Sequence, residues 1–231
     1  MLGSSEILVL FLVVAALVLL PRIRKMLEQR VDEEAIGRRT FEALTQRQTI
    51  HRLSTGEAPR IVARFAQVRA LRISNYTVHV TDEVGVNALA LPGGMVLLTS
   101  GLLNLRKSGT ISEDELAGVL AHEMGHIELG HSRAREVRET LVSWATRVGP
   151  APTGLLGGLA MNLGLKAMQR RAGREAEKEA DAWACALLRD AGYRVSALQT
   201  FLARMSSWNV SGGLWSTHPS AEARIEAMKG N

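Results

Sequence analysis

The chain has 231 residues, 46% of them hydrophobic and 22% charged, which allows one domain with a sizeable core and excludes a largely disordered chain. Its formal net charge of +5 is scattered, and aromatic residues make up only 4%; without a basic patch interleaved with aromatics, nucleic acid is not an expected partner, while an anionic lipid surface is compatible with the charge. The single cysteine, Cys185, excludes an intrachain disulfide, and its place in the apolar run 182–188 reads as a small buried hydrophobe.

Residues Ile7 to Leu20 form an unbroken apolar run, and extension back to Leu2 gives about nineteen residues, just enough to span a bilayer. A cleaved signal peptide begins with basic residues and ends at a small-residue site. Here Met1 to Glu6 carries no Lys or Arg, and Leu20 is followed by Pro21, Arg22, Ile23, Arg24 and Lys25. The expectation is an uncleaved single-pass anchor over residues 1–25, with the folded domain at 26–231. Arg22, Arg24, Lys25 and Arg30 place that flank, and with it the domain, in the cytoplasm by the positive-inside rule.

Residues 26–73 are charged and helical in pattern, with a break near Ser54 to Pro59. Tyr76 to Val80 alternates as a strand does. Val84 to Ala90 and Met95 to Ser100 are two short β-like runs, and Leu91, Pro92, Gly93 and Gly94 between them are turn chemistry, which predicts a hairpin. Ser112 and Glu115 form a capping box ahead of a long helix. Residues 149–166 are glycine-rich and apolar, and their five glycines, Asn162 and Lys166 argue against a second span. Helices follow at about 174–190, 195–207 and 219–229. The fold class is α+β, mainly helical with a small antiparallel sheet.

The long helix carries His122, Glu123, Met124, Gly125 and His126, an H-E-x-x-H motif. Positions i and i+4 share a helix face, so both imidazoles reach one ion. Glu123 is offset by about a hundred degrees, within reach of a water on the ion, whose pKa the ion lowers toward about 7. The apolar neighbours Leu116, Val119, Leu120, Met124 and Ile127 predict a buried helix, and a buried His-Glu-His cluster calls for a partner such as a metal. The metzincin pattern fails: its glycine and histidine positions hold Leu129 and Ser132, so His131 reads as structural or as a support to a ligand. A third ligand is available downstream, where Glu177 and Asp181 lie about one turn apart. Glu177 could bind the ion while Asp181 fixes a ligand histidine; on spacing alone Glu175 and Glu179 remain rivals, and a solvated acidic helix face would look the same.

These residues resemble a known family, the gluzincin zinc peptidases of the HtpX, BepA and Ste24 type. The resemblance covers roughly residues 60–229 and rests on four motifs in order: Asn87 to Gly94, Glu115 to His126, Glu177 to Asp181, and Thr217 to Ile225. It implies a gluzincin metallopeptidase fold and one Zn2+ per chain held by His122, His126 and Glu177, with Glu123 as general base and then acid. It further implies Asp181 as partner of a ligand histidine, and Asn87, Ala88, Leu89 and Ala90 as an edge strand to which a substrate peptide adds in extended form. His218 is implied to stand near the zinc, stabilising an oxyanion or filling the ion's open position; read without the resemblance, it is a turn residue before Pro219. Arg224 either pairs with an acidic residue or approaches the substrate. Leu89 stands where the family often has Phe, and Gly173 where it has Ser, which makes substrate preference less transferable. With one span, the chain lacks the helical chamber of the Ste24 branch, so that branch's prenyl-protein substrate is not carried over.

The resulting expectation is a membrane-anchored zinc metalloendopeptidase that acts on protein or peptide substrates in quality control of membrane or envelope proteins, touching lipid through its N-terminal helix. Two rivals stand beside it: a membrane-bound interaction protein that keeps the metal for folding, and a metal hydrolase acting on non-peptide amides or esters. A His-His-Glu site also accepts cobalt or manganese.

Overall fold

The computed structural model describes residues 32–131, 154–208 and 221–229. From Glu33 onward they belong to one folding unit, Glu33–Ser132 with Pro150–Asn231. Helix α1 (Glu33–Thr45) leads into β1 (Ile50–Leu53) and α2 (Glu57–Val68). Strands β2 (Thr77–Thr81), β3 (Ala88–Leu91) and β4 (Met95–Thr99) precede α3 (Ser100–Lys107) and α4 (Glu113–Glu128). Helices α5 (Gly154–Asp190), α6 (Ala197–Ser207) and α7 (Ala221–Lys229) complete the unit. The anchor expected at residues 1–25 and His218 both lie outside the described residues. Among the described residues no helix is long and apolar enough to cross a membrane.

The hairpin forms as its turn chemistry predicts. Gly93 and Gly94 take φ of +85° and +92°, a region open to glycine and costly for other residues. They set the antiparallel register Leu91 to Met95 and Ala88 to Leu98. Val84, expected in the first arm, is 87% exposed; the strand begins only at Ala88.

The sheet is not purely antiparallel. Its order is β1-β2-β4-β3, with β1 antiparallel and β4 parallel to β2. The segment between β2 and β3 carries the chain past the place β4 will occupy, and the hairpin then folds back inward. The physical gain is burial: Val96 and Leu98 become fully buried at the centre, while the alanines of β3 take the edge. Strand β1 itself, four residues with an exposed middle, falls inside a stretch read as helical.

Helix α4 is the centre of the unit. Ser112 Oγ accepts the Glu115 N–H at 3.2 Å and Glu115 Oε2 accepts the Ser112 N–H at 2.8 Å, the predicted capping box. Every residue from Glu115 to Gly125 is buried, and Leu116, Leu120, Met124 and Ile127 are among the largest fully buried side chains. At about 1.5–3 kcal/mol each, these four fix the helix with no help from a ligand. Helix α6 crosses it at Gly118, where an added Cβ would stand 3.1 Å from the backbone of Leu198.

The C-terminal end of α4 is tied to the loop before β2. The Glu128 carboxylate accepts the Arg72 and Ile73 N–H groups at 2.6 and 3.1 Å and the Tyr76 hydroxyl at 2.6 Å. Burial first, then this bond to Glu128, pushes the Tyr76 pKa far upward. Arg72 also pairs with Glu33 of α1 at 2.9 Å and donates to the carbonyls of Glu128 and Ile127.

Helix α1 closes over the hairpin at Gly37, where a Cβ would lie 1.8 Å from the Pro92 carbonyl oxygen. Gly37→Ala should therefore destabilise the domain by about 1–3 kcal/mol, because backbone must move. Gly173→Ala, on an exposed turn of α5 with nothing within 4 Å, should be neutral or stabilising by up to about 1 kcal/mol. Paired denaturant melts measure both; equal effects would remove the α1–hairpin contact as a constraint.

His79 of β2 is buried, edge-on to Phe41 of α1 with ring centroids 4.9 Å apart. Burial, then the nearby Arg52 charge, hold its pKa below the ordinary value of 6.5. Since folded His79 resists protonation more than the unfolded chain does, its contribution is full above that value and is lost as pH falls through the depressed folded pKa. His79→Leu should flatten the loss of stability on acidification from about pH 7.5 to about pH 5. A parallel decline in both proteins would assign that loss to other groups.

Candidate metal centre

His122 and His126 sit one turn apart on the buried face of α4, as the motif spacing predicts. Their Nε2 atoms are 3.1 Å apart. Glu177 of α5 completes a triangle, with Oε2 at 3.5 Å from His122 Nε2 and Oε1 at 3.4 Å from His126 Nε2. These three side chains form the group whose ligand atoms all lie within 4.8 Å of one another among the described residues. Helix α5 can come this close because Gly125 has no side chain: a Cβ there would stand 3.1 Å from the Ala180 carbonyl oxygen and 3.2 Å from the Trp183 ring. The x-x of the motif is thus packing-critical, a point that a reading of ligand spacing alone does not reveal.

The donor set fits a divalent cation on two grounds. A tetrahedral shell with ligands at about 2.0–2.1 Å has edges of roughly 3.3–3.4 Å, close to the three separations above. The charge fits as well. Glu123, Glu177 and Asp181 are all buried, and among the described residues Arg224 is the buried arginine that meets them; a divalent ion would offset the negative charge that three buried carboxylates bring. His122 registers this charge. Burial and the Arg224 charge disfavour its protonation, yet its bonds to Asp181 and Glu177 outweigh both and raise its pKa.

Asp181 and Arg224 form the support behind His122. Asp181 Oδ1 lies 2.9 Å from His122 Nδ1. Arg224 of α7 donates to Asp181 through Nε at 2.9 Å and through a terminal nitrogen at 2.6 Å. The hydrogen bonds from His122 and Arg224 outweigh burial and hold the Asp181 carboxyl below its usual range. A terminal nitrogen of Arg224 also stands 3.1 Å from His122 Nδ1. Because arginine has no acceptor, the arrangement that leaves Nε2 bare for a metal puts the His122 proton on Nδ1, donated to Asp181, with Arg224 held by the same carboxylate. This settles the choice left open by the sequence: Arg224 pairs with an acidic residue.

The rival acidic residues lie elsewhere. Glu175 is exposed and meets Lys178 at 3.4 Å. Glu179 meets His131 Nε2 at 3.1 Å, while His131 Nδ1 meets His126 Nδ1 at 3.0 Å. Burial pushes the His131 pKa down, with Glu179 offsetting part of the shift. Asn87 is buried just before β3, where its side-chain oxygen accepts the Ala88 N–H at 2.9 Å. Ala88, Leu89 and Ala90 form the edge strand of the sheet, and Ala88 and Ala90 pack into the same core as α4.

Glu177→Ala should leave the purified chain with little zinc after dialysis, and Asp181→Asn should retain zinc with affinity weakened about 10–100-fold. Zinc content and chelator competition measure both. A fully loaded Glu177→Ala chain would remove that carboxylate as a ligand.

Comparison with known proteins agrees with this geometry. Residues 52–231 match Peptidase family M48. The Escherichia coli metalloprotease LoiP is 28% identical over 67% of this chain and 61% of its own length. The Schizosaccharomyces pombe mitochondrial metalloendopeptidase OMA1 is 31% identical over 74% of this chain and 50% of its own length. The chain thus spans between half and two thirds of the length of these relatives. The crystal structure of S. mikatae Ste24p aligns over 95% of this chain and 64% of its own, with a TM-score of 0.56 at 18% identity, a likeness of fold. With a buried H-E-x-x-H helix, a facing glutamate and a family match covering most of its length, the chain belongs to Peptidase family M48.

Proposed function

We propose that the chain is a zinc-dependent metalloendopeptidase, anchored in a membrane by residues 1–25, that hydrolyses peptide bonds in exposed or misfolded segments of membrane or envelope proteins. The observation that carries the reading is the His122–His126–Glu177 triangle, with Glu123 buried beside it on the helix that carries both histidines. A purely structural metal site has no use for that fourth residue. Relatives named as metalloproteases, among them a mitochondrial metalloendopeptidase and a putative beta-barrel assembly-enhancing protease of Vibrio cholerae, support the substrate class.

His122, His126 and Glu177 would hold the ion, which when bound supplies Lewis-acid polarisation of the scissile carbonyl and a water of lowered pKa. Glu123 takes a proton from the attacking water and passes it to the leaving amine. Asp181 keeps the His122 proton on Nδ1, and Arg224 keeps Asp181 ionised. The edge strand Ala88–Leu91, with Asn87 before it, offers backbone groups to an extended substrate, which suits broad sequence tolerance. His218 would stabilise the oxyanion or occupy the ion's open position; its place three residues before α7, the helix that brings Arg224 to His122, supports this role. The basic flank at Arg22 to Arg30 supports a cytoplasmic domain.

The test compares the full chain with Glu123→Gln in zinc content and casein cleavage. Glu123→Gln should retain about one zinc and lose cleavage by on the order of a hundredfold or more. Full cleavage by Glu123→Gln would remove Glu123 as the base; absence of cleavage by both zinc-loaded proteins would argue for a binding protein.

A further inference from the structure

The mechanism above gives His122 a buried support in Asp181; a different pair of residues stands against the second histidine. The structure places His131 on the His126 ring and Glu179 behind it. His131 Nδ1 is 3.0 Å from His126 Nδ1, and His131 Nε2 is 3.1 Å from Glu179 Oε2. The local fold makes this contact possible. Helix α4 ends at Glu128, with Leu129 as its C-cap, and Gly130 follows at φ +68°. That left-handed turn, available to glycine at little cost, brings His131 back against the last turn of the helix, where its side chain is only 12% exposed.

Proton counting fixes the direction of the chain. Two ring nitrogens 3.0 Å apart need one proton between them, since two lone pairs or two N–H groups would repel. His126 Nε2 faces His122 Nε2 and Glu177, so in a metal-binding site it is bare and the His126 proton sits on Nδ1. That proton is donated to His131 Nδ1. His131 must then carry its own proton on Nε2, the atom that meets Glu179.

We infer that His131, backed by Glu179, is a positioning residue that fixes the tautomer and ring orientation of His126, so that each metal-facing imidazole has its own support. The inference rests on the proposed metal centre. The two supports differ in kind. Asp181 is a buried carboxylate held by Arg224, whereas His131 is a neutral acceptor whose carboxylate partner is 64% exposed. Glu179 is therefore screened by water and contributes the smaller part.

Zn2+ affinity of the full chain, measured by competition with a chromogenic chelator, tests this. His131→Leu, similar in bulk but with no acceptor, should weaken binding about 10–100-fold. His131→Asn, whose amide oxygen can take the place of Nδ1, should recover most of the loss, and Glu179→Ala should cost only a few-fold. Ring 15N NMR of the zinc-loaded wild-type chain gives a second readout that needs no variant to fold: His126 should be protonated on Nδ1 and His131 on Nε2. His131→Leu binding zinc as tightly as wild type, His131→Asn recovering nothing, or the opposite tautomer at His131 would each overturn the inference. Failure of the wild-type chain to bind zinc at all would overturn the metal centre with it.

Discussion

A carboxylate taken out of water costs several kcal/mol unless another charge offsets it, and this domain takes Glu123, Glu177 and Asp181 into one space with a single buried arginine among the described residues. The rest of the structure follows from that constraint. Helix α4 is held by its own apolar faces, which position His122, Glu123 and His126. Helix α5 supplies two of the carboxylates and can approach only because Gly125 is bare. Helix α7 contributes Arg224, which donates to Asp181 at 2.6 and 2.9 Å and stands 3.5 Å from Glu177. A divalent ion held by the two imidazoles and Glu177 would offset part of this negative charge, and would couple stability to metal binding in the same few residues.

The two ends of α4 are secured differently. At the N-terminus, Glu113, Asp114 and Glu115 sit in the first turn, where the helix dipole favours negative charge, and Ser112 with Glu115 closes the cap. At the C-terminus, the Glu128 carboxylate gathers three donors from the loop before β2. These bonds tie the end of the helix that carries His126 to the loop that leads into the sheet.

Much of the site was legible in the sequence because its spacing is local. H-E-x-x-H at i and i+4, Glu177 and Asp181 one turn apart, the capping box and the glycine turn of the hairpin all depend on backbone periodicity, which a few adjacent residues determine. The short strand β1 was missed because four residues with an exposed middle carry no period that separates them from the charged helices on either side. The parallel pairing of β2 with β4 was missed for another reason: turn chemistry sets the register within the hairpin, but which arm enters the sheet depends on burying Val96 and Leu98 against α4.

By itself the sequence determined the chemistry: the residue types, their helix faces and the family motifs in order. Only the tertiary structure decided between partners that are distant along the chain. It put Glu177 rather than Glu175 or Glu179 opposite the histidines, turned Glu179 toward His131, and joined Arg224 to Asp181 across 43 residues. The reason is physical. Helical periodicity says which residues share a face, but the contact between two faces is chosen by close packing at Gly125 and Gly118 and by the cost of leaving a buried charge unbalanced, and neither quantity exists until the helices have met.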